Sequence, residues 1–239
     1  MSITRYIRPM SFGETISSMY RLAFKIIGPA ILLNIVLYPV FYLGTVATAG
    51  PVLIMISNAI LGKRLKLWNS IRTGIFSVSF LKIAVLSFGS SIMIGIFSYV
   101  LFPGLASTDT GFFIPYTAFH IILDPILIFI PMIMLLEKKG LRVSTKRSFQ
   151  ILRKNLPRIT QMVIFISLIY GVMIVLLLLA QIDMGSAFLV AYTLATLTGF
   201  TTLPYVFMYY EYRARHENYS EELLTQEMGY QPMEEMMSV

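Results

Sequence analysis

After Arg158 the chain reads Ile159-Thr-Gln-Met-Val-Ile-Phe-Ile-Ser-Leu-Ile-Tyr-Gly-Val-Met-Ile-Val-Leu-Leu-Leu-Leu-Ala180, a run with no charged residue that is closed by Gln181-Ile-Asp183. About 20 apolar residues are enough to cross the hydrocarbon core of a bilayer as a helix. A second apolar stretch follows, up to Tyr210, and only then do basic residues return, as Arg213 and Arg215. A chain that leaves a basic flank, crosses, turns at Gln181–Ser186 and crosses back is a transmembrane hairpin.

The same grammar covers the rest of the sequence. All 19 Lys and Arg residues fall in four stretches: Arg5–Lys25, Lys63–Lys82, Lys138–Arg158, and the pair Arg213 and Arg215. Between them lie apolar blocks at 26–62, 83–137 and 159–210, each long enough for two spans. The opposite turns, near Thr45–Gly50, Pro103–Phe113 and Gln181–Ser186, carry only Asp109 and Asp183 as charges. Every basic stretch is therefore on one side, which the positive-inside rule makes cytoplasmic. The expectation is an all-α polytopic membrane protein with spans at 25–44, 46–62, 80–102, 115–136, 158–180 and 187–210. Both termini are then cytoplasmic, in a prokaryotic cytoplasmic membrane. An apolar share of 56% with only 13% charged residues, and a mean hydropathy of +0.74, leave too little polar surface for a free globular domain. The run Ile26–Leu43 is too long for a cleaved signal peptide and is read as a retained first span.

Each hairpin is preceded by a similar short segment. Arg8-Pro-Met-Ser-Phe12, Lys63-Arg-Leu-Lys-Leu67 and Lys139-Gly-Leu-Arg-Val143 each open on a basic residue, followed by apolar residues at the third and fifth places. Helical periodicity follows: Ile16, Met19, Tyr20, Ala23 and Phe24; then Ile71, Ile75 and Val78; then Phe149, Leu152 and Leu156. Three amphipathic helices in the interface plane are expected, over 11–24, 67–78 and 143–156. With one hairpin each they make three units of the same orientation, whereas inverted-repeat transporters need an odd number of spans per unit.

Within the spans, Pro29, Pro39, Pro51, Pro125, Pro131 and Pro204 predict kinks. Ser87, Ser91 and Gly95 form a small-residue stripe suited to close helix packing. Asn34 and Asn58 suit interhelical hydrogen bonds, and Tyr205, Tyr209, Tyr210 and Tyr212 read as an aromatic belt at the headgroups. After Arg215 the chain turns acidic, and 216–239 reads as a solvated cytoplasmic tail with a short helix near Ser220–Met228.

The candidate intramembrane site is the pair His120 and Asp124, four residues apart and so on one helix face. A charge at the bilayer centre costs at least about 2.5–3.5 kcal/mol, so such a pair suggests a proton relay, an ion site or a substrate contact. The structural alternative has Asp124 capping a helix that restarts at Pro125, with His120 hydrogen-bonded to it or reaching the outer interface. On the basic face, Arg142, Lys146, Arg147, Arg153, Lys154 and Arg158 are candidate contacts for anionic lipid headgroups, although orientation alone accounts for them equally well.

Other chemistry has little to work with. The chain has no Cys and two His, so thiolate and His-rich metal sites cannot be assembled. Zinc-protease, nucleophile-elbow and phosphate-loop motifs are absent, and no cofactor is called for. The net charge of +7 flanks lipid spans rather than forming a nucleic-acid reading surface.

Four stretches carry a family likeness: Arg8-Pro-Met-Ser-Phe-Gly-Glu14 with Tyr20-Arg-Leu22, Leu136–Gly140, Lys146-Arg-Ser-Phe-Gln-Ile-Leu152, and Tyr209–Glu217. Together they resemble the membrane domain attached to some bacterial glycerophosphoryl diester phosphodiesterases, which also stands alone. The resemblance implies no catalysis here, because the family's phosphodiester chemistry belongs to a separate barrel with His and acidic metal ligands. The functional expectation is a non-catalytic scaffold, accessory subunit or lipid- or peptide-handling component. Its partners would be the bilayer, anionic lipid, and another membrane protein or a second copy. The alternative is a small-solute or ion transporter or channel with a cavity at His120 and Asp124.

Overall fold

The computed structural model describes residues 7–36, 45–63, 72, 78–106, 111–197 and 202–228, and every regular element among them is helical. In chain order the helices are α1 (Phe12–Val36), α2 (Thr45–Ile60), α3 (Val78–Leu101), the single turn α4 (Pro103–Ala106), α5 (Phe113–Leu136), α6 (Leu141–Lys154), α7 (Leu156–Leu179), α8 (Met184–Leu197), α9 (Leu203–His216) and α10 (Glu221–Glu227).

Among the described residues, α7 is long and apolar enough to cross a membrane: it has 24 residues, and only 17% of its most apolar window is buried. At 1.5 Å per residue it reaches about 36 Å, against a hydrocarbon thickness of about 30 Å. Two halves of α5, Ile114–Leu123 and Pro125–Leu136, pass the same test together, bent by 49° where they meet at Asp124. Pro125 has no N–H to give the preceding turn, which accounts for a bend there.

Several elements differ from their expected bounds for physical reasons. The expected interfacial helix 11–24 and first span 25–44 are one unbroken α1 as far as Val36. Its buried stripe, Thr15, Ser18, Met19, Leu22, Ala23, Ile26 and Ala30, keeps helical spacing through Lys25, so nothing there requires a break. Tyr20 and Phe24, placed in the stripe by periodicity, are 41% and 76% exposed. Helix α6 turns Ser144, Ser148 and Ile151 inward and leaves Phe149 and Val143 exposed. The small Ser148 lets α6 lie close along α5, where its Oγ donates to the Ile126 carbonyl at 2.9 Å. The expected span 187–210 comprises α8 and α9, with 198–201 between them outside the described residues. The expected interfacial helix 67–78 also lies outside them, apart from Arg72 and Val78.

Three segments, each with a proline in or near it, supply the most continuously buried stretches of the core. Val52–Asn58 of α2 is at most 4% exposed, Ile128–Ile130 and Met132–Met134 of α5 are at most 2%, and Leu203–Arg213 of α9 is buried on every side. Each exit is closed by a left-handed residue: Gly62 (φ 65°), Lys138 (φ 52°) and Asn218 (φ 51°). Helices α2, α5 and α9 pack against one another. Around them the arrangement is cyclic: α1 sits on α2 and α9, α3 on α5 and α2, and α7 on α9 and α5. Each outer helix thus packs on the inner helix of its own hairpin and on that of the hairpin before it.

Candidate functional site

The polar chemistry of the described residues collects at one end of the bundle, where α1 begins, α5 ends, α6 lies alongside, α7 begins and α9 ends. The first cluster is centred on Glu137, one residue beyond α5, whose side chain is 5% exposed. It accepts from Arg147 Nε at 2.6 Å and from the Tyr209 hydroxyl at 2.8 Å, and pairs with Lys139 Nζ at 2.9 Å. Arg147 Nη2 reaches both oxygens of Glu217, at 2.7 and 2.8 Å. Arg213 then links Glu217 (3.1 Å) to Glu227, which it grips through two nitrogens at 2.9 Å each. The Tyr219 ring lies 3.6 Å beneath the Arg213 guanidinium, and its hydroxyl donates to Glu227 at 2.6 Å. Lys139, Arg147 and Arg213 face Glu137, Glu217 and Glu227, so the cluster is neutral.

Burial works against ionisation of Glu137, but hydrogen bonds from Arg147, Lys139 and Tyr209 outweigh it and hold the carboxyl below its ordinary range. Arg147 is likewise discouraged by burial and raised overall by Glu137 and Glu217. Burial lowers Arg213, yet the Glu227 hydrogen bonds and neighbouring anionic forms raise it overall. The Tyr219 phenol is pushed up, first by burial.

The second cluster is centred on Glu211, 1% exposed in mid-α9. Arg158 Nη2 donates to it at 3.0 Å and Arg215 Nη2 at 2.8 Å; both arginines also donate to the Met10 carbonyl at 2.7 Å. Phe12 lies under the Arg158 guanidinium, 5.5 Å from its ring centroid. This cluster carries one cation in excess. It ties the start of α1 to the start of α7 and the end of α9, which are 148 and 205 residues from Met10.

Arg147 and Arg158, two of the six candidate lipid contacts, are thus held by carboxylates of the chain itself. Arg142, Lys146, Arg153 and Lys154 are exposed. The acidic tail carries the expected short helix as α10, capped by Ser220 accepting from the Leu223 amide, but over its described part it is packed rather than solvated: Glu217 and Glu227 face Arg213, and Leu224 is fully buried. The four tyrosines expected at the headgroups are buried, at 0–3% exposure. Their hydroxyls explain why: Tyr210 shares a 2.6 Å hydrogen bond with Ser57 of α2, and Tyr209 donates to Glu137.

His120 is 1% exposed on the first half of α5, its ring 4.6 Å from that of Tyr116. Helix α5 runs through Asp124 without stopping, so the backbone bends there rather than starting a new helix; the Asp124 side chain is outside the described residues. On α3, Ser91 is half-buried, a Cβ on Gly95 would meet Phe112 at an ordinary 3.7 Å, and the side chain of Ser87 is outside the described residues, as is that of Asn34. Asn58 is buried in α2 at 3% exposure. No cluster of three or more metal-ligating side chains occurs among the described residues.

No protein-family model, curated protein or solved structure matches the chain. What the arrangement does chemically follows from its parts. The carboxylates Glu137 and Glu211, one in each cluster, are what the sequence reading passed over. Their signal was available as two acids set among cations, with Glu211 and Arg215 spaced i,i+4.

Proposed function

We propose that the chain is a six-span, non-catalytic component of a prokaryotic cytoplasmic membrane, serving as a scaffold, an accessory subunit or a lipid- or peptide-handling component. Three of its four basic stretches meet at one end of the bundle, and this observation carries the reading. The first is represented there by Met10 and Thr15, the third by Arg147 and Arg158, and the fourth by Arg213 and Arg215. Return of the chain to the same end after each hairpin is what same-side basic stretches require. Exposure of Leu168, Val172 and Leu179 along α7, at 61–76%, fits a lipid environment. Kinship with the phosphodiesterase-associated membrane domain is part of the proposal, supported by the meeting of its four motif stretches in the two clusters.

Since the chain contains no Cys, single-cysteine variants report sidedness cleanly. In intact cells a membrane-impermeant maleimide is expected to label Leu105→Cys and Asp183→Cys, and to reach Lys82→Cys and Lys154→Cys only after lysis. Labelling of all four in intact cells would sink the topology. Turnover of a lipid phosphodiester by the purified chain would sink the non-catalytic reading.

A further inference from the structure

Beside the Glu211 cluster lies a cavity of about 350 Å³ whose lining includes Lys154, Asn155, Arg158, Glu211, Arg215 and His216. Its charge balance is one-sided: Lys154, Arg158 and Arg215 are set against the single carboxylate of Glu211, leaving two positive charges over before His216 is considered. Glu211 is already shared by both arginines, Oε1 accepting from each and Oε2 from Arg158 Nε at 3.4 Å, so it has little left for Lys154. Asn155 adds a donor: its Nδ2 has no hydrogen-bond partner among the described residues. A second cavity at this end, around Glu137 and Glu227, is more nearly balanced, with Lys138, Lys139 and Arg213 set against two carboxylates, one of which, Glu227, Arg213 grips through two nitrogens. Fixed guanidinium and amide donors around an uncompensated positive cavity are the chemistry that receives a phosphate.

Position narrows the source of that phosphate. Gln161 also lines the cavity, and the next exposed residue on its side of α7 is Ile164, 55% exposed, followed by Leu168 at 63%. One helical turn, about 5 Å, therefore separates the cavity from bare apolar surface. A ligand with a phosphate head and acyl chains spans that step; a soluble phosphate has nothing to put there.

We propose that this cavity binds the phosphate of an anionic phospholipid, with Lys154 and Asn155 as its free donors and Arg158 and Arg215 as fixed walls. This deepens the lipid-handling reading and rests on it. It also relocates lipid recognition from the outward face of α6 to the junction of α6, α7 and α9.

Binding is to be measured on the full chain in a neutral detergent, by intrinsic fluorescence or native mass spectrometry. The probes are short-chain phosphatidylglycerol, short-chain phosphatidylcholine, glycerol phosphate and inorganic phosphate. The expected result is preference for phosphatidylglycerol over the other three, reduced at least fivefold in Lys154→Gln combined with His216→Gln, and unchanged in Lys25→Gln combined with Lys82→Gln. Both pairs are exposed, so folding is preserved; a matching unfolding temperature checks this. Equal loss in the two pairs, or no loss in the first, overturns the cavity in favour of diffuse surface charge. Glycerol phosphate or inorganic phosphate binding as tightly as the lipid overturns the lipid source. Should the chain instead be extracted from membranes by alkaline carbonate without detergent, the membrane reading fails independently of either result.

Discussion

Helices α7 and α9 belong to the same hairpin and reverse the usual relation between side-chain chemistry and burial. Helix α7 is a run of Ile, Leu, Val and Met whose Ile164, Leu168, Val172, Val175, Leu176 and Leu179 stand 54–76% exposed. Helix α9 reads Leu-Pro-Tyr-Val-Phe-Met-Tyr-Tyr-Glu-Tyr-Arg-Ala-Arg-His, and its first eleven residues, including a glutamate and an arginine, are all buried. In water the first arrangement would be a liability and the second an extravagance. The proposed bilayer would account for both, since lipid would solvate the outer helix and the polar groups would have to find partners within the protein. Composition identifies what crosses a membrane, and packing decides what faces it.

The contrast is breakable. Tyr210→Ala removes a fully buried ring and the partner of Ser57, and is expected to cost about 3–5 kcal/mol, whereas Leu168→Ala on α7 should change stability by less than about 0.5 kcal/mol. Thermal unfolding of both variants in one detergent checks this, and equal losses would erase the distinction between inner and outer helices. Leu168→Arg sharpens it from the other side. A guanidinium at mid-span should lower membrane integration by about 2.5–3.5 kcal/mol, while the same change on a water-exposed helix would be nearly silent.

The polar end of the comparison is next in size. Arg147→Ala leaves Glu137 with Lys139 and Tyr209 alone and is expected to cost about 1.5–3 kcal/mol, the range for hydrogen bonds to charged groups. A double-mutant cycle with Glu137→Gln measures how much of that is their mutual interaction. The same carboxylate sets a pH limit. Because its pKa is lowered on folding, Glu137 contributes stability that is complete above the ordinary value of 4.5 and is lost as pH falls through the lower folded value. Glu137→Gln is expected to be less stable than the native chain at pH 7, and to lose less of its remaining stability as pH falls below 4.5. Smallest is Ser220→Ala, which removes the cap of α10 at about 1 kcal/mol and should show as faster proteolysis after Glu217 with little change in global unfolding.

How much of this was legible before the structure divides along the same line. The helical character of the apolar blocks and the gathering of charge at one end of the molecule follow from composition and from Lys and Arg placement. Direction of facing does not, since Tyr20 and Phe24 of α1 are as apolar as Met19 and Leu22 yet point outward. Tyr209 and Tyr210 misled for a similar reason: an amphipathic ring at a span end satisfies an interface as well as a core, and only the reach of Ser57 and Glu137 decides between them. Residues Glu137 and Glu211 were hidden because each is outnumbered by neighbouring cations, while Arg147, Arg158 and Tyr209 reach them from 10, 53 and 72 residues away.

The contrast between the two helices is tested most directly by spin-label accessibility on the Cys-free chain reconstituted in lipid vesicles. Labels at Leu168→Cys, Val172→Cys and Leu176→Cys are expected to collide readily with dissolved oxygen and hardly at all with a water-soluble nickel complex, with a label at Lys154→Cys showing the reverse. Equal access of the nickel complex to Leu168 and Lys154 would contradict a lipid-facing α7, and with it the membrane reading of the whole fold.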